Sequence, residues 1–118
     1  MPQVLDASSQ TVSGQDAEFG LSTRALALLR ALFAAQVGIR RVIVYGSRAK
    51  GNYRTGSDID IALDAPELSF DAFLRLCTAA DDLMLPWQID LSLLSQIENP
   101  QLLEHIARVG KPLWVRKD

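Results

Sequence analysis

Polar and apolar positions follow three different rhythms along the chain. Residues 1–18 are rich in Ser, Gln, Thr, Asp and Gly, show no apolar period, and read as a mobile tail. Ala25, Leu28, Leu29, Leu32 and Ala35 then recur at helical spacing behind Ser22, a fitting N-cap, and Gly38 is placed to end that helix. Val42 to Tyr45 is a run of β-branched and aromatic residues, which predicts a buried strand over Ile39 to Tyr45 with Arg40 and Arg41 at its entry. Gly46-Ser47 turns the chain into a short helical stretch ending at Gly51, and Gly51 and Gly56 serve chain reversal. Asp58 to Leu63 returns as a second strand. Ser69 caps a second helix whose apolar side is expected to carry Phe70, Phe73, Leu74, Cys77 and Ala80. Gln88 to Leu94 is a third strand. Asn99-Pro100 starts a last helix, with Leu102, Leu103, Ile106 and Val109 on its buried side and Gly110 at its end. Pro112 to Val115 is a final short strand or an apolar tail. These elements predict one α/β (α+β) domain over residues 19–118, a small mixed sheet of three or four strands with helices packed on it.

Acids interrupt this pattern at two places. Asp58 and Asp60 stand two positions apart in an otherwise apolar strand, so both carboxylates leave the same face. Like charges so placed raise each other's pKa unless a cation neutralises them, and Mg²⁺ prefers such hard oxygen ligands. Alone, the pair also suits a turn end beside a solvated face. The third strand carries a lone acid, Asp90, a type usually found on an exposed face or near an edge. Upstream, Gly46-Ser47 at the end of a strand lets backbone N–H groups approach a phosphate closely, and Ser47 adds a hydroxyl. Between Ser47 and Asp58 lie ten residues that include Arg48, Lys50 and Arg54. Such a cluster is either a solvated loop or a set of cations that steadies phosphates, with Arg48 favoured over Lys50.

Strand, Gly46-Ser47, ten residues, then Asp58 and Asp60 on a strand: the sequence here resembles the nucleotidyltransferase superfamily related to DNA polymerase beta, and within it the small minimal nucleotidyltransferases. The resemblance includes Arg48 to Gly51, Gly56-Ser57 and Gln88 to Leu93, and it spans about residues 20 to 115. It implies that Asp58, Asp60 and Asp90 bind two Mg²⁺ (Mn²⁺ suits the same ligands) and carry the catalysis. It also implies that Gly46, Ser47, Arg48 and Lys50 hold the nucleotide, ATP above the other triphosphates. Minimal nucleotidyltransferases of this sort resemble antitoxins of two-gene pairs whose partner is a helical HEPN-type RNase toxin. The implied reaction is transfer of AMP to a tyrosine of that partner. Two other readings stay open: a nucleotide-binding scaffold that neutralises its partner without turnover, and a transferase acting on a small molecule.

Bulk properties narrow the setting. A net charge of −2 over 118 residues argues against a broad nucleic-acid footprint. No signal peptide and no membrane-spanning run is visible, so a cytoplasmic protein is expected, with an oligomer possible. The one cysteine, Cys77, reads as a buried structural thiol. His105, the only histidine, reads as a surface or satisfied polar residue, and Trp87 and Trp114 as core or interface anchors. Asp64, Asp81 and Asp82 read as surface acids with no partner.

Overall fold

The structure, a computed structural model, describes residues 18–117; the expected tail over 1–18 lies outside the described residues except for Glu18. The elements follow in the order α1 (Thr23–Ala34), β1 (Arg41–Tyr45), α2 (Gly46–Lys50), β2 (Ile59–Asp64), α3 (Phe70–Asp81), β3 (Ile89–Leu93), α4 (Pro100–Val109) and β4 (Lys111–Val115). The four strands make one mixed sheet in the order β3-β2-β1-β4. β1 runs antiparallel to both β2 and β4, and β2 runs parallel to β3 with α3 as the crossover. Lys111 to Val115 is therefore a strand rather than a tail.

Alternation along the strands divides the side chains between two faces. Val42, Val44, Ile59, Ile61 and Leu63 form the larger core with Leu26, Leu29 and Phe33 of α1 and Phe73 and Leu76 of α3. Each such side chain, fully buried, contributes about 1.5–3 kcal/mol. The opposite face is covered only in part. There Ile43, Tyr45 and Ala62 pack on Ile106 of α4, flanked by Leu94, Ile97 and Leu102. This division leaves the start of β2 and β3 open on the α4 side, where Asp60 and Asp90 stand.

The helix ends behave as their residues dictate. Ser22 and Ser69 accept from the N–H groups of Ala25 and Ala72, and Asn99 accepts from Gln101 and Leu102 with Pro100 at the first helical position. α1 stops at Ala34, and Gly38, with φ +102°, shapes the turn that follows rather than the helix end itself. On α3 the buried stripe runs through Phe73, Leu76 and Ala80; Phe70 and Leu74 sit on its flank, 61% and 48% exposed, contrary to expectation. On α4 only Ile106 is fully buried, and Leu103 faces outward.

Long-range polar contacts close the frame. Arg30 Nε donates to the Leu113 carbonyl and its Nη2 pairs with Glu18. Asp64, expected to have no partner, faces Arg41 across the β1–β2 pair and meets its Nε at 2.9 Å. Arg116 donates to the carbonyls of Ile39 and Gln36 and lies over the Trp114 ring. Cys77 packs against the larger core, and burial pushes its thiol pKa up. Among the described residues no helix is long and apolar enough to cross a membrane.

Candidate active site

The site is built where β1 ends. Tyr45 closes the strand, and the chain turns at Gly46 with φ +73°. That angle disfavours any residue with a Cβ. A Cβ on Gly46 would also lie 2.5 Å from Asp60 Oδ2, so the carboxylate would have to move to admit one. α2 then runs one short turn and closes at Gly51, whose left-handed φ of 86° lets its N–H reach the Ser47 carbonyl.

Strand pairing gathers the acids. Asp60 is the register partner of Tyr45 on one side and of Asp90 on the other. In a parallel pair, register partners send their side chains to the same face. Asp58 lies just before β2, two residues from Asp60, near enough for its charge to act on that carboxylate. Burial raises the Asp60 pKa, the Asp90 and Asp58 carboxylates raise it further, and His105 opposes them. The Tyr45 hydroxyl responds to the same field. Burial raises its pKa, a hydrogen bond with Ser92 works the other way, and Asp60 and Asp90 add to the rise.

The three expected acids thus share one field, with Asp60 and Asp90 on one face, but they do not close on a point. Among the described residues, no three His, Cys, Asp or Glu side chains converge tightly enough to hold a metal ion as they stand. Asp58 and Asp90 are exposed and Asp60 is half-buried. In chemistry the set still suits a divalent cation. It offers only hard carboxylate oxygens, and one of them, Asp60, resists ionisation because it is partly buried and because the other two are near.

The nucleotide-binding expectations divide. Gly46 lies against Asp60, and Ser47 follows it at the start of α2. Arg48 does not present a free cation to a phosphate. It is buried, 3% exposed, with Nε and Nη2 on the Ser57 carbonyl at 3.1 and 2.8 Å and Nη1 on the Phe19 carbonyl at 2.9 Å. Its guanidinium lies over the rings of Tyr53 and Trp87, 4.8 and 5.5 Å from their centroids. Arg48 therefore clamps the segment before α1 to the loop before β2. Lys50 is exposed and borders a hollow with Glu18, Tyr53 and Lys111 that none of the three acids lines.

His105, expected as a surface or satisfied polar residue, is a satisfied one, and its partner is the turn itself. The Gly46 N–H donates to His105 Nε2 at 3.2 Å, and the imidazole meets the Tyr45 ring edge-on, centroids 6.2 Å apart. Nothing local in the sequence signals this contact, which joins positions 59 residues apart.

A strand, a glycine turn into a short helix, and aspartates aligned on two neighbouring parallel strands make up the candidate site. The family described as "Polymerase beta, Nucleotidyltransferase" matches residues 28–118, and the chain belongs to that family; it is a nucleotidyltransferase. The "Probable protein adenylyltransferase MntA" of Haemophilus influenzae is 34% identical over 76 residues, which span 64% of this chain and 67% of that protein. Two solved structures share the fold. A chain from the crystal structure of a toxin–antitoxin with AMP-PNP aligns with a TM-score of 0.61 at 23% identity, over 79% of this chain and 74% of that one. A chain from the tri-AMPylated Shewanella oneidensis HEPN toxin in complex with MNT antitoxin aligns with a TM-score of 0.59 at 21% identity, over 79% and 71%.

Proposed function

We propose that this protein transfers AMP from ATP to a hydroxyl, a tyrosine hydroxyl first, on a helical HEPN-type toxin, and so acts as that toxin's antitoxin. The observation that carries the chemistry is the register pairing of Asp60 with Asp90 on the open face beside the Gly46 turn. Support for the acceptor comes from the relatives: one is named a protein adenylyltransferase, and one similar chain is from a complex with an AMPylated toxin.

Asp58, Asp60 and Asp90 would hold two divalent cations, Mg²⁺ first and Mn²⁺ next. When bound, such ions neutralise phosphate charge and acidify an acceptor hydroxyl. The Gly46-Ser47 turn receives the β- and γ-phosphates. The acceptor oxygen forms a bond to the α-phosphorus in line with the breaking α–β anhydride. Pyrophosphate departs with the bonding pair, and the hydroxyl proton passes to the Asp90 carboxylate. A cytoplasmic setting follows from the need for ATP.

Intact-mass spectrometry of the partner encoded beside this gene tests the reading. The two proteins are incubated with Mg²⁺ and each nucleoside triphosphate in turn. A mass gain of one or more AMP groups, absent with Asp58→Ala, supports the transferase. Tight complex formation with no mass gain, and full neutralisation by Asp58→Ala, points instead to a binding scaffold.

A further inference from the structure

α4 crosses the open face of the sheet and brings His105 to the first residue of the active-site turn. Two contacts define its place. Nε2 accepts the Gly46 N–H at 3.2 Å. The ring packs edge-on against Tyr45, with planes at 81°. Because Nε2 accepts, the neutral ring carries its proton on Nδ1.

Gly46 is the residue on which the site turns. Its Cα is the surface against which the Asp60 carboxylate rests, and its peptide leads directly into Ser47. An N–H at the first position of a helix has no partner within the helix. Left to rotate, that peptide would shift both the resting place of Asp60 and the position of Ser47. His105 supplies the missing acceptor from a separate element whose Ile106 is anchored in the second core.

We infer that His105 is a positioning residue of the transfer site, fixing the Gly46 peptide so that Asp60 and Ser47 keep their relative places. For the nature of the transfer, this inference rests on the function proposed above.

Two substitutions separate this role from simple packing. His105→Phe keeps an aromatic ring against Tyr45 but removes the acceptor. His105→Gln returns an acceptor oxygen without the ring. The first readout is hydrogen exchange of the Gly46 amide, followed by ¹H–¹⁵N NMR in the nucleotide-free protein. In His105→Phe the exchange should become about tenfold faster, the effect of losing one hydrogen bond of roughly 1.4 kcal/mol. The second readout is transfer kinetics. In His105→Phe kcat should fall about 10- to 100-fold, as a small misplacement of reacting groups does, with melting temperature nearly unchanged. His105→Gln should recover most of both losses. Unchanged Gly46 exchange in His105→Phe overturns the inference. So does a kcat loss that merely follows the melting temperature and is not recovered by Gln. If the wild-type protein transfers nothing to its partner, the proposed function fails, and the Gly46 exchange of the two variants then decides the His105 contact by itself.

Discussion

The Asp60 carboxylate lies directly against the Cα of Gly46, so close that a methyl group there would meet Oδ2 at 2.5 Å. The glycine of the turn is therefore required twice, once by its positive φ and once by the acid beside it. Turn and acid behave as one unit. Whatever moves the first also moves the second.

Gly46→Ala tests this coupling. The left-handed φ alone should cost about 1–2 kcal/mol of stability. Displacement of Asp60 should lower kcat at saturating nucleotide by about 100-fold. Melting temperature and steady-state kinetics read the two effects separately. Near-normal kcat would show that the acid tolerates a wider turn than its packing suggests.

Asp60 should also make the fold pH-dependent. Its folded-state pKa is raised above the ordinary 3.8 by burial first, then by Asp90 and Asp58. Above pH 3.8 the native protein therefore retains a proton that the unfolded chain has released. Stability falls as pH rises through that window, and ionised Asp60 is a net cost at neutral pH. Asp60→Asn should thus melt a few degrees higher than wild type at pH 7 in EDTA, while losing transfer. The advantage should fade in acid. Added Mg²⁺ should raise the wild-type melting temperature more than that of the variant. A lower melting temperature for Asp60→Asn at pH 7 would contradict this account.

Asp90 is exposed, in contrast to its register partner. Asp90→Asn should leave stability within about 0.5 kcal/mol of wild type. As the proposed acceptor of the hydroxyl proton, it should lower kcat by about 10²–10⁴-fold, read by the rate of partner modification. Unimpaired kcat would move the proton to solvent.

The parts of the site that were legible in the sequence are those set by short stretches of chain. Gly46-Ser47, Asp58 and Asp60 are tied by a strand–turn–strand whose period and spacing are local. Asp90 became a member of the site only through parallel pairing of β3 with β2, which depends on how α3 packs across the sheet. The residues whose surroundings were not legible are those whose partners lie far away. Arg48 sits in a basic cluster, and nothing in Arg48, Lys50 and Arg54 tells which one turns inward. Phe19 is 29 residues back, and the flanking rings of Tyr53 and Trp87 are joined only by folding. Arg41 finds Asp64 at a separation of 23 residues, and His105 finds Gly46 at 59. Phe70 and Leu74 fit the helical period but fall on the flank of α3, because period alone does not say how wide a stripe the sheet can cover.

Arg48 separates two uses of one cation. If it acts as the structure places it, its removal leaves the carbonyls of Ser57 and Phe19 without their donor and opens the space between Tyr53 and Trp87. Arg48→Ala should then lower stability by about 2–4 kcal/mol, the range expected when a charged, buried hydrogen-bonding group is lost. Arg48→Lys should recover less than half of that, since a single ammonium cannot reach both carbonyls and lie flat between two rings. The KM for ATP in the folded fraction should stay within about twofold of wild type, because none of this changes the phosphate-facing atoms. Lys50→Ala, at an exposed position, should leave stability within about 0.5 kcal/mol. The opposite pattern in Arg48→Ala, an unchanged melting temperature with KM raised tenfold or more, a loss of about 1.4 kcal/mol of binding, would return Arg48 to the nucleotide.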